Sequence, residues 1–176
     1  GNYLDEISSL DCAVFSVPGN HDNDPYETDD WLCEVPFRRI IGPTYYSFNL
    51  GRVHYILLDN IVYINTGGSQ GTVGSRNYDA RIVSDQIAWL KKDLATISDK
   101  STPIVVGMHI QLFGYPSLDA SGSQTQVFRL DNAEELTACF SEFTDVSFLT
   151  GHTHMNYNVT PRDSSLPNIR EHNIAA

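Results

Sequence analysis

Gly151-His152-Thr153-His154 follows directly on the apolar run Val146-Ser147-Phe148-Leu149, and that junction decides how the chain is read. Two other junctions repeat it. Gly19-Asn20-His21-Asp22 ends the run Cys12-Ala13-Val14-Phe15-Ser16-Val17, and His109 ends Pro103-Ile104-Val105-Val106-Gly107-Met108. Short apolar runs bounded by turn residues read as buried strands. An amide and several imidazoles thus stand just past the ends of three expected strands. Ligands in open α/β sheets bind beyond the carboxyl ends of strands, so these groups can converge. Neutral imidazole and amide oxygen suit zinc, manganese or iron. The constellation reads as a metal site.

Outward from these junctions, strands and helices alternate. Tyr3, Leu4, Ile7 and Leu10 fit the stripe of a helix over 2–10. The acid-rich stretch after Asp22 reads as a loop reaching Pro43. Residues 45–49 and 52–58 read as a hairpin across Leu50-Gly51, and 61–64 as a short strand. Ser84 reads as the N-cap of a helix over 85–98, with Ile87, Leu90, Leu94 and Ile97 inward. A further helix from Asp131 or Asn132 to Phe143 would bury Leu136, Cys139, Phe140 and Phe143. This alternation points to the α/β class. The glycine-rich stretch 67–74 lacks the Gly-Lys-Ser/Thr ending of a phosphate loop. It reads as a surface loop, with a substrate-covering lid as its functional alternative, and substrate specificity is expected in the loops 61–84 and 111–130.

The three motifs, in this order, resemble those of the calcineurin-like metallophosphoesterase family. The resemblance runs from about Ser16 to Tyr157. It includes Gly42-Pro43-Thr44-Tyr45-Tyr46-Ser47-Phe48 followed by Val53-His54-Tyr55-Ile56-Leu57-Leu58-Asp59, similar to a hairpin of the family's bacterial members. It implies a partial four-layer αββα sandwich with mixed sheets, in a single domain over 1–176. It implies that Asn20, His109 and His152 hold one divalent transition metal ion (manganese, iron or zinc) and His154 another. A complete site would carry two ions, and this chain one or none. The implied reaction is hydrolysis of a phosphomonoester or phosphodiester by a metal-activated hydroxide, with His21 as general acid and Asp22 orienting it.

The family's opening motifs, Asp-x-His and Gly-Asp-x-x-Asp, have no counterpart before Gly19. The chain accordingly reads as an internal piece of a longer phosphoesterase or a truncated product, without the carboxylate that bridges paired ions. Weak activity, or none, is expected of it alone. Two other readings stand beside this one. The chain is a non-catalytic metal-binding or interaction module, or another chain supplies the missing strands, with self-association through an exposed sheet edge.

Bulk composition narrows the partners. Net charge is −11, from 22 acids against 11 bases, which argues against a duplex nucleic-acid partner, since such binding uses a basic stripe. The acids Asp22, Asp24, Glu27, Asp29, Asp30 and Glu34 read first as a solvated loop. Their functional alternative is a field that draws divalent cations and discourages highly anionic substrates. No apolar stretch approaches the roughly 20 residues of a membrane helix. Three cysteines form no CxxC pair; Cys12 and Cys139 read as buried packing residues and Cys33 as the exposed thiol. His54 and His172 read as structural histidines, and Asp59 as an indirect supporter of the site at most. Asn158-Val159-Thr160 matches a glycosylation acceptor, informative only in a secretory context. The compartment is left open, an extracytoplasmic one included.

Overall fold

The computed structural model describes residues 3–69, 74, 77–115, 117–118, 124–125, 128–164 and 166–175. Much of the glycine-rich stretch and of the 111–130 loop therefore lies outside the described residues, and so does the lid reading of the glycine-rich stretch. In chain order the elements are α1 (Tyr3–Ser8), α2 (Asp30–Cys33), α3 (Val35–Ile40), β1 (Tyr46–Leu50), β2 (Val53–Leu57), β3 (Ile61–Tyr63), β4 (Tyr78–Ala80), α4 (Ser84–Ala95), β5 (Ile104–Gly107), β6 (Ser117–Leu118), β7 (Gln124–Thr125), α5 (Ala133–Ala138), β8 (Val146–Thr150), β9 (Tyr157–Val159), α6 (Pro161–Ser164) and β10 (Ile169–Asn173).

Six strands form one mixed sheet in the order β1-β2-β5-β8-β10-β9. β2, β5, β8 and β10 run parallel to their neighbours, while β1 and β9 close the two edges antiparallel. Two-stranded pieces, β3–β4 and β6–β7, lie apart from it. This mixed α/β arrangement is the expected class and is consistent with a metallophosphoesterase-like sandwich. No helix among the described residues is long and apolar enough to cross a membrane.

Alternation along the strands divides the sheet into two faces. On one, Ile56, Ile104, Val106, Val146 and Phe148 are fully buried together with Ile87, Leu90 and Leu94 of α4 and Leu136 and Phe140 around α5. Phe140 meets Phe148 edge-on at 5.7 Å. Each such side chain contributes about 1.5–3 kcal/mol by leaving water. His54 also points to this face. Its Nε2 lies 2.8 Å from Asp93 Oδ2 and its Nδ1 2.9 Å from Asn49 Oδ1, tying β1 and β2 to α4. The opposite face carries Phe48, Tyr55, Leu57, Val105 and Leu149, half-buried or exposed. Phe15 stacks on Phe48 at 4.2 Å beside a shallow cavity of about 260 Å³.

Several expectations are corrected. Among the described residues, 12–17 have no sheet partner, and Cys12, Val14 and Phe15 lie on the outside of the molecule. Cys12 is thus the exposed thiol. Cys33 is fully buried, its Sγ donating to Glu27 O and contacted by Asn65 Nδ2. The acid-rich loop contains α2 and α3, started by Asp29, whose carboxylate caps Leu32 N at 3.1 Å. Ser84 is already helical, and Val83 stands at the cap position. β10 continues the sheet between β8 and β9.

Glu171 of β10 is fully buried and accepts from Leu112 N (2.6 Å), Phe113 N (3.0 Å) and the Thr150 hydroxyl (2.8 Å). Burial pushes its carboxyl up to about 7, against the pull of those three donors. A folded value above the unfolded one favours the folded state at low pH, and that advantage is lost as pH rises through the folded value. The melting temperature should therefore fall as pH rises from about 5 to 8. Glu171→Gln should make that decline shallower in thermal melts. An unchanged slope would show that Glu171 titrates normally.

Candidate metal centre

Parallel pairing sets the positions of two imidazoles. Leu57 pairs with Gly107 and Gly107 with Leu149, so β2, β5 and β8 end in step. Just past this edge, Gly151 N donates to His109 O at 3.0 Å. The chain after β5 is held by Asn60, whose amide donates to Ile110 O (2.6 Å) and accepts from Ile110 N (3.1 Å). The chain after β8 is held by Asn173, which donates to Gly151 O at 2.7 Å and to the Thr150 hydroxyl at 3.0 Å. Thr153 turns back through a bond from its N–H to Gly151 O (2.8 Å) and one from its hydroxyl to Asn173 Oδ1. On either side of it, His152 (φ 68°) and His154 (φ 55°) take left-handed backbone. Non-glycine residues adopt that region infrequently.

The Gly19–Asp22 turn is closed twice, by Asp22 N to Gly19 O (3.0 Å) and Gly19 N to Asp22 Oδ2 (2.8 Å). Buried Tyr63 adds a third tie, its hydroxyl donating to Gly19 O at 2.7 Å. The turn delivers Asn20 Oδ1 to 2.8 Å from His109 Nε2. His152 Nδ1 reaches the same His109 nitrogen at 3.2 Å, and the two rings meet edge-on at 5.0 Å. Three of the expected metal-site residues thus converge, from positions 43 and 89 residues apart along the chain.

The other expected residues sit differently. His21 and His154 are exposed, and no hydrogen bond among the described residues joins either ring to the trio. The Asp22 carboxylate accepts from Gly19 N through Oδ2, closing the turn. Asp59 faces Glu34 instead of the histidines, and burial pushes both carboxyls up. Among the described residues, no group of three or more His, Cys, Asp or Glu side chains is gathered as for a metal ion. The trio reaches three donors only through the amide oxygen of Asn20.

Electrostatics keep the two central rings neutral. Burial, reinforced by the repulsion a protonated His152 would exert, pushes His109 down to about 4. Burial also lowers His152, with Arg129, His154 and His21 adding to it. A neutral imidazole has a free lone pair, the state that binds metal. Two residues near the trio escaped sequence reasoning. Tyr78 places its hydroxyl 3.1 Å from His152 Nε2, and Arg129 is close enough for its charge to act on that ring. A short strand after a glycine-rich loop gives no pattern that would single out Tyr78.

No protein-family model matches the chain. It is similar to purple acid phosphatase 15 of Arabidopsis thaliana, with 28% identity over 163 residues, covering 88% of this chain and 26% of that protein. The chain spans about a quarter of the length of this relative.

Gly19 permits the close approach of the His109 ring. A Cβ there would stand 3.1 Å from His109 Cε1 and Nδ1 and 3.2 Å from Asp22 Oδ2. Gly19→Ala should displace the ring and weaken zinc binding about tenfold, the range seen when the support of a ligand is disturbed. Thermal melting should change little. Calorimetric titration with zinc checks this, and an affinity equal to wild type would remove Gly19 from the account.

Proposed function

We propose that the chain is the part of a calcineurin-like metallophosphoesterase that holds one of two divalent metal ions, in a single domain over 1–176. The parent protein then hydrolyses phosphomonoesters or phosphodiesters. The observation that carries this reading is the meeting of Asn20, His109 and His152 at 2.8 and 3.2 Å, in a chain similar to a purple acid phosphatase. Two donors each about 2.0–2.2 Å from one ion lie roughly 3 Å apart. The trio therefore needs little rearrangement to serve manganese, iron or zinc.

A bound ion of this kind supplies positive charge for phosphoryl oxygens and a hydroxide at neutral pH. The chain's own residues supply the remainder. His21, exposed beside Asn20, can give its proton to a leaving oxygen as a general acid. Asp22 contributes by closing the turn that carries His21. His154 is left for the second ion, and one imidazole does not hold an ion. The purified chain is accordingly a one-ion binder with weak hydrolytic activity or none.

The ring of His154, exposed and without a hydrogen bond among the described residues, favours a second reading, a metal-binding or interaction module without catalysis, which could pair through the β1 edge. Hydrolysis of a simple aryl phosphodiester by the purified chain, abolished by a chelator, would exclude that alternative.

Elemental analysis after chelator-free purification should find about one transition metal ion per chain, the number three protein donors plus water can hold. His109→Ala and His152→Ala should each lose it. Full uptake in both variants would refute the assignment, and two ions in the wild type would mean that a second donor set is completed.

A further inference from the structure

Tyr63 and Tyr78 stand directly opposite each other in the β3–β4 pair. Opposed residues of an antiparallel pair project to the same side. Tyr63, which is buried, donates to Gly19 O at 2.7 Å, on the turn that presents Asn20. The Tyr78 hydroxyl lies 3.1 Å from His152 Nε2, and its ring meets the imidazole edge-on at 6.0 Å. One small strand pair thus places a phenol on each wall of the same site.

The protons of the network can be assigned from its partners. Asn20 Oδ1 can only accept, so the 2.8 Å contact requires the proton on His109 Nε2. That proton is given to Asn20, so His152 Nδ1, 3.2 Å from the same nitrogen, has nothing to donate to there and stands bare; binding an ion through His109 Nε2 would move the His109 proton to Nδ1. A neutral His152 with a bare Nδ1 carries its proton on Nε2, where the Tyr78 oxygen stands to receive it. We propose that Tyr78 is a positioning residue: its hydroxyl oxygen holds His152 as the Nε2–H tautomer, aiming the Nδ1 lone pair at the point shared with His109 and Asn20. Tyr63 holds the opposite wall through Gly19. The consequence for metal affinity rests on the metal-site reading above, whereas the tautomer assignment does not. A ligating histidine commonly gives its second N–H to a fixed acceptor, and loss of such a partner costs 10–100-fold in metal affinity.

The test compares wild type, Tyr78→Phe and Tyr63→Phe. Metal-free proteins are examined by long-range proton–nitrogen correlation of the histidine rings, and zinc binding is measured by calorimetry. Wild type should show His152 with a pyridine-like Nδ1 and a pyrrole-like Nε2. Tyr78→Phe, which keeps the ring, should give a mixture of tautomers and zinc binding weaker by about tenfold or more. Tyr63→Phe should weaken zinc binding while leaving the His152 tautomer intact. A single retained Nε2–H tautomer in Tyr78→Phe overturns the proposal. So does an equal loss of tautomer in Tyr63→Phe, which would report general loosening. If wild type takes up no zinc, the metal reading fails, and the tautomer comparison alone still decides the role of Tyr78.

Discussion

The meeting of the two imidazoles at the candidate centre depends on the parallel ladder joining β2, β5 and β8. Parallel strands in register end at the same edge, and here Leu57, Gly107 and Leu149 lie level across the sheet. His109 and His152 follow at short, similar distances past that edge, and Gly151 N to His109 O links the two chains beyond it. A slip of two residues in either ladder would carry one imidazole about 7 Å away. Fully buried Ile56, Val106 and Phe148 resist such a slip, because each would leave its pocket under the helices.

The third donor arrives by different physics. Asn20 is on a turn outside the ladder, and its preceding segment has no sheet partner. Point contacts hold it: the doubled Gly19–Asp22 closure, the Tyr63 hydroxyl, and Asn65, which donates to Asp24 O at 3.2 Å. α2 and α3 anchor the rest of this stretch through Asp30, which accepts from Tyr63 N at 2.6 Å, and through the Arg38–Glu34 pair at 2.7 Å. Two donors are thus fixed by backbone register and one by side chains.

This division explains what could be read in the sequence. β2, β5 and β8 and α4 were legible because their apolar periodicity is strong, and the motif residues because their order is distinctive. Residues 12–17 have the same apolar pattern as β5, yet a strand also needs a neighbour to bond to, which local pattern cannot reveal. α2 and α3 escaped because, at four and six residues, they are too short to show a helical period, with stability coming from the Asp29 cap and from burial of Cys33 and Phe37. Cys33 was misplaced for the same reason. Asn20, His109 and His152 were legible as types at strand ends, whereas the partners that orient them, Tyr78 and Asn173 above all, are defined only by contacts across the fold.

The left-handed backbone of His152 and His154 sets stability against chemistry. Each such non-glycine residue stores on the order of 1–3 kcal/mol of strain, which glycine would relieve entirely and asparagine in part. The substitution that most relaxes the turn at either position is therefore the one that removes an imidazole. Fold stability and donor supply are opposed at these two residues, and a search for stabilising variants would disarm the turn first.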